Sequence, residues 1–158
     1  MYKEKRKDVV QIEKQGVWGI KYTVIPSFIE KENFISNDEY KLFLCLKEIY
    51  KYTKIDIFTQ VALNRIVKIN TKRNKNELYK NYSDRSIDFV LYDSENFKIK
   101  CCIELNDGTH NEKKRKERDE FLKEVFEYTN IPLIFIKTSN YYVQKDIKKL
   151  IDDSLHIK

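Results

Sequence analysis

The stretch SIDFVLYDSENFKIKCCIELN, residues 86–106, decides how the rest of the chain is read. Ile87, Phe89 and Leu91 alternate with Asp88, Val90 and Tyr92; after the turn-forming Asp93-Ser94-Glu95-Asn96, Phe97 to Leu105 alternates again. Two alternating runs joined by a short turn predict a β-hairpin. In its second strand Phe97, Ile99, Cys101, Ile103 and Leu105 share one face, which leaves Lys98, Lys100, Cys102 and Glu104 on the other. Asp88, near the start of one strand, and Glu104, at the end of the next, can then meet across the pair. Two such carboxylates and a main-chain carbonyl suit a hard cation such as Mg²⁺. Acidic residues at strand ends are also commonly exposed or salt-bridged, so position alone leaves both readings open.

Before the hairpin, Val17 to Ile25 suggests a strand ended by Pro26. Ser36 or Asn37 is a natural N-cap for an amphipathic helix over Asp38 to about Tyr52, with Leu42, Cys45, Leu46 and Ile49 at helical spacing and Glu39 in the first turn. Ile55 to Leu63 has the length and β-branched content of a buried strand. Residues 65–85 then carry Arg65, Lys68, Lys72, Arg73, Lys75, Lys80 and Arg85 against Glu77 and Asp84, most of the chain's net charge of +6. Such a run is either a solvated loop or a phosphate-binding arm, with Lys72, Arg73 and Lys75 the candidate nucleic-acid contacts.

After the hairpin, Asn106 to Thr109 is a tight connection containing Gly108, and Glu112 to about Tyr128 forms a helix with Phe121, Leu122, Val125 and Phe126 on one face. Ile131 to Ile136 reads as a central strand, and Ile147, Leu150, Ile151 and Leu155 mark a C-terminal helix. This order predicts an α/β or α+β fold, with a mixed central sheet of about four strands flanked by helices and a right-handed crossover returning the last strand beside the hairpin. With 158 residues, 41% of them hydrophobic, three Gly and two Pro, residues 1–158 read as a single domain. Residues 1–33 form an N-terminal extension, 34–137 the core and 138–158 the terminal helix.

No secretory signal and no run of roughly 18 apolar residues is present, so a soluble, cytoplasmic protein without membrane contact is expected. Cys45, Cys101 and Cys102 lack CxxC spacing, which argues against disulfides and zinc. His110 follows Gly108 and opens a helix, where free N–H groups favour anions; it can exchange a proton with a phosphate oxygen or water, or simply cap the helix. Arg115 and Arg118, three apart, suit phosphate clamping, although Asp119 can instead pair with Arg115 as ordinary helix support.

Glu39, Phe58-Thr59-Gln60-Val61, Ser86-Ile87-Asp88-Phe89-Val90-Leu91, Ile103-Glu104-Leu105-Asn106, His110 and Arg115-x-x-Arg118-Asp119, taken in order, resemble the domain-of-unknown-function 2726 family. That family looks like a branch of the PD-(D/E)XK, restriction-endonuclease-like nucleases, similar to very-short-patch-repair endonucleases, and the resemblance runs from about Phe34 to Lys137. It implies that Asp88 stands for the first acidic residue of the motif and Glu104 for the second. Mg²⁺ or Mn²⁺ would bind between them with the carbonyl of Leu105, and Glu39 would be a supporting acid. The cation would activate water for attack on a phosphodiester, while His110, Lys113, Arg115 or Arg118 stabilises the phosphate oxygens. Asn106 stands where the motif's Lys would orient the water and cannot supply its charge; Lys98, Lys100 or Lys113 are candidates to replace it. Phe135 stands where the family tends to place Arg, leaving Lys137 as the nearest basic residue.

The resulting expectation is a metal-dependent endonuclease, with DNA favoured over RNA. The alternative is a catalytically inactive nucleic-acid-binding module that keeps the fold, and a third reading is a basic surface that meets an acidic protein partner.

Overall fold

The computed structural model describes the backbone of residues 12–15, 21–24, 33–70, 82, 84–106 and 112–155, and the side chains of 33–70, 82, 84–106 and 116–155. The chain divides into two compact units, Met1–Phe34 and Ile35–Lys158. In the first, β1 (Ile12–Gln15) and β2 (Lys21–Val24) pair antiparallel, Ile12 opposite Val24. The single strand expected over Val17 to Ile25 is thus the second arm of a hairpin.

The second unit runs α1 (Asn37–Tyr50), β3 (Ile55–Ala62), a 3₁₀ turn at Leu63–Arg65, β4 (Ser86–Asp93), β5 (Lys98–Asn106), α2 (Glu112–Glu127), β6 (Leu133–Lys137) and α3 (Gln144–Leu155). Its sheet has the order β3-β4-β5-β6, antiparallel except for the last, parallel pair. The predicted mixed four-stranded sheet with flanking helices is therefore the observed one. Parallel pairing of β5 with β6 follows from the helix between them, since only a crossover of that length can return a strand in the same direction.

Both faces of the sheet are buried. Phe89, Leu91, Cys101 and Ile103 pack with Leu42 and Leu46 of α1 and Ile147 and Ile151 of α3. Val90 and Cys102 pack with Leu122 and Phe126 of α2, together with Leu63, Tyr82 and Ile87. Cys101 and Cys102 thus enter different clusters, as neighbours on a strand must. All three cysteines are free and buried.

The alternation predicted for the hairpin fails at two places: in β4 Ile87 packs with Val90 and Cys102 rather than with Phe89 and Leu91, and β5 is irregular. Leu91 pairs with Cys101 but Tyr92 with Ile99, so β5 carries one extra residue, and beyond this bulge the faces exchange. Ile99 consequently packs in the cluster of Cys102 rather than that of Cys101. Lys98 and Lys100 are exposed, and the lysine-lined surroundings expected for Glu104 are not found.

Candidate functional site

Helix α1 begins with a capping box. The Ser36 side chain accepts from the Glu39 N–H at 3.2 Å, and the Ser36 N–H donates to Glu39 Oε2 at 2.5 Å. Such a cap contributes about 1 kcal/mol, and it also fixes one oxygen of Glu39. The other oxygen, Oε1, accepts from Gln60 Nε2 on β3. The first-turn acid is thereby held against β3.

The hairpin register that sets Phe89 opposite Ile103 brings Asp88 level with Glu104. The two are bound crosswise: the Asp88 N–H donates to Glu104 Oε1 at 3.3 Å, and the Leu105 N–H donates to Asp88 Oδ2 at 2.8 Å. Asp88 Oδ1 accepts from Gln60 Nε2 at 3.3 Å. Glu104 Oε2 accepts from Arg118 Nη2 at 2.5 Å, with Glu104 only 3% exposed. It is the one buried charged side chain among the described residues.

Such burial is costly. Loss of water and the neighbouring Asp88 carboxylate push the Glu104 carboxyl up to about 8, with Arg118 opposing them. Burial also raises Asp88, against the pull of the Leu105 N–H and Arg118. A structure gains nothing in stability from two carboxyls raised by burial in adjacent strands, and such pairs concentrate at functional sites.

Asn106, at the end of β5, approaches Asp119 Oδ2 with its Nδ2 at 3.4 Å, while its carbonyl accepts from the Thr138 N–H at 2.8 Å. Asp119 thus lies beside Asn106. A cavity of 330 Å³ is lined by Glu39, Asp88, Glu104, Leu105, Asn106, Arg118 and Asp119 with Ser36, Asp38 and Thr138. A second, of 580 Å³, is lined by Glu39, Gln60, Asp84, Arg85, Ser86, Asp88 and Arg118. The carboxylate cluster therefore opens on two sides. Arg85 lies over the Phe121 ring, 4.6 Å from its centroid. Burial and the adjacent Arg118 lower its pKa, although a guanidinium stays charged.

Asp88, Glu104, Leu105, Asn106, Glu39 and Arg118 are thus brought together. Arg118 is engaged with Glu104 rather than facing the cavity alone. Lys113 and Arg115 belong to α2 by backbone, but their side chains, like His110, Lys72, Arg73 and Lys75, lie outside the described residues. Phe135 is covered by Lys123, whose Nζ is 5.4 Å from the ring centroid, and Lys137 pairs with Asn106 in the β5–β6 register.

Gln60 and Arg85 were missed as site residues. The sequence signal for Gln60 is an amide residue between Thr59 and the apolar Val61-Ala62-Leu63; for Arg85 it is a position directly before the strand that bears Asp88. Among the described residues no group of three or more His, Cys, Asp and Glu is placed to hold a metal by itself. The donors that converge are two carboxylates and the main chain at Leu105, a set suited to a hydrated Mg²⁺ or Mn²⁺, which keeps several waters.

No helix among the described residues is long and apolar enough to cross a membrane. No curated protein and no solved structure matches the chain. A family model, described as a protein of unknown function (DUF2726), matches residues 31–155. Because that match spans α1 through α3, including every residue of the carboxylate cluster, the chain belongs to the DUF2726 family.

Proposed function

We propose that the chain is a metal-dependent endonuclease of the PD-(D/E)XK type, with a restriction-endonuclease-like core similar to that of very-short-patch-repair enzymes, acting on DNA. The observation that carries this reading is the crosswise-bonded Asp88–Glu104 pair, one member of which is 3% exposed and held up to about 8. A fold tolerates such a pair at a cost in stability, and a divalent cation between the two carboxylates removes that cost. When bound, Mg²⁺ or Mn²⁺ supplies an activated water and neutralises charge on the phosphate undergoing attack.

The chain's own residues do the rest. Asp88, Glu104 and the Leu105 carbonyl would hold the cation, and Glu39 is the further acid held against Gln60. Arg118 bridges the two cavities and can pass from Glu104 to a phosphate oxygen once a cation satisfies the carboxylate. Arg85, stacked on Phe121, offers a second guanidinium to the backbone of the nucleic acid. The basic stretch with Lys72, Arg73 and Lys75 adds sequence-independent attraction for a polyanion.

A second reading has its own support. Asn106 brings no charge where a Lys would stand, and Arg118 is paired to Glu104, features of a binding module that has lost its chemistry. One experiment separates the two. Wild type and Glu104→Gln are incubated with supercoiled plasmid, linear DNA and single-stranded RNA, with Mg²⁺, Mn²⁺ or EDTA. Cation-dependent DNA cleavage by wild type alone is expected. DNA retention at low salt without cleavage in any cation would instead assign the binding module, and retention of neither nucleic acid would favour an acidic protein partner.

A further inference from the structure

Gln60 has φ 52, the left-handed region, inside strand β3. For a residue with a Cβ this costs about 1–2 kcal/mol. The strain does not serve a bulge, because Thr59↔Phe89 on one side and Val61↔Ile87 on the other keep the same register. Across Gln60 the two strands exchange faces, Ile57 and Phe89 packing in one cluster and Val61 and Ile87 in the other, and the side chain is turned toward Glu39 and Asp88. Gln60 Nε2 donates to both Glu39 and Asp88, and Gln60 Oε1 accepts from Ser86 Oγ at 2.9 Å.

An amide NH₂ set between two carboxylates stands where a positive charge would be most stable. The Asp88 oxygen it touches is Oδ1, the one left over when Oδ2 takes the Leu105 N–H. A cation bound through Oδ1 would meet the two amide hydrogens head-on, which is repulsive. The same amide, turned over about its last side-chain bond, presents an oxygen instead. Ser86 keeps its bond through that turn, because its hydroxyl, which now donates to Oε1, can equally accept from Nε2, and a cation replaces the amide hydrogens that Glu39 and Asp88 lose.

We propose that Gln60 is a cation ligand: its amide, which bridges Glu39 and Asp88 through Nε2, reverses to coordinate a cation through Oε1 when one binds. This rests on the cation reading of Asp88 and Glu104 given above. It adds a neutral oxygen to the donor set.

The test is calorimetric titration of Mn²⁺ into wild type, Glu104→Gln, Gln60→Asn and Gln60→Glu, with melting curves of each metal-free protein. Asn tolerates positive φ better than Gln, so Gln60→Asn folds, but it is one methylene too short to reach. Affinity is expected to fall about ten- to a hundredfold in Gln60→Asn. It should rise about tenfold or more in Gln60→Glu, since ligand charge tunes the affinity of hard-cation sites. Gln60→Glu should also melt lower than wild type without metal, because a third carboxylate then faces Glu39 and Asp88. If Gln60→Asn binds Mn²⁺ within twofold of wild type while Glu104→Gln does not bind, Gln60 is only a strut and this inference fails. If wild type itself binds no Mn²⁺, the cation reading of the whole site fails with it.

Discussion

The raised carboxyl of Glu104 makes a quantitative statement about stability and pH. Its folded value of about 8 lies above the ordinary 4.5, so between those two the folded chain holds a proton that the unfolded chain has released. Stability from this group is therefore greatest at low pH and declines as pH rises, by about 1.4 kcal/mol per unit across that window, levelling off above it. Over the whole window the loss amounts to about 5 kcal/mol, a large part of what holds a domain of this size together. Glu104→Gln keeps the shape and cannot ionise. The difference in unfolding free energy between Glu104→Gln and wild type should thus rise from pH 5 to pH 8.5 by several kcal/mol in favour of the variant. Urea denaturation of both proteins in EDTA, at matched ionic strength and four or five pH values, measures it. Saturating Mn²⁺ should flatten the wild-type slope by holding the carboxyl ionised. A difference that stays level to within about 1 kcal/mol from pH 5 to 9 would refute the reasoning, since Arg118 would then be keeping Glu104 charged throughout.

Other substitutions probe separate parts of the argument. Ser36→Ala should cost about 1 kcal/mol in denaturation experiments through loss of the cap on α1. Phe89→Ala, a fully buried side chain of the first core cluster, should cost about 3–5 kcal/mol by the same measurement. Phe97 has φ 56 at the end of the hairpin turn and is exposed, so Phe97→Gly should raise the melting temperature by relieving strain worth about 1 kcal/mol. Arg118→Met removes the guanidinium bonded to the buried acid, and it should destabilise the metal-free protein more at pH 9 than at pH 6, as read from paired melting curves.

Much of the framework was legible because local periodicity dominates it. The alternation in 86–106, the Ser36 cap and the apolar run before Lys137 each depend on residues within a few positions of one another, and each element appears within a residue or two of its expected limits. The hairpin also told which carboxylates face each other. The bulge in β5 was not legible, because nothing in Lys98-Ile99-Lys100 disrupts alternation; Ile99 changes sides because the partner strand demands it. The same holds for the tie between Glu104 and Arg118 and for the role of Gln60, which depend on how α2 and β3 dock on the hairpin rather than on their own sequences. An isolated Gln in a strand carries no signal that its backbone is left-handed. Roles for His110, Lys113, Arg115 and the 72–75 basic residues rest on sequence reasoning, since their side chains lie outside the described residues.

The placement of Asp88 and Glu104 on one hairpin, 16 residues apart, also bears on how the chain folds. A hairpin is a local structure that closes in microseconds, well before contacts spanning longer stretches are secured. Glu39 of α1 and Gln60 of β3 approach Asp88 from outside the hairpin, across 28 residues in the case of Gln60, and so join later. The two acids therefore come together while still wet and without the groups that later shield them. Their mutual repulsion then acts on the rising side of the folding barrier. At neutral pH both are already ionised at that stage, so alkaline pH should speed unfolding, in which the buried Glu104 carboxyl gives up its native environment, more than it slows refolding, and a divalent cation present during refolding should raise the rate by offsetting the repulsion.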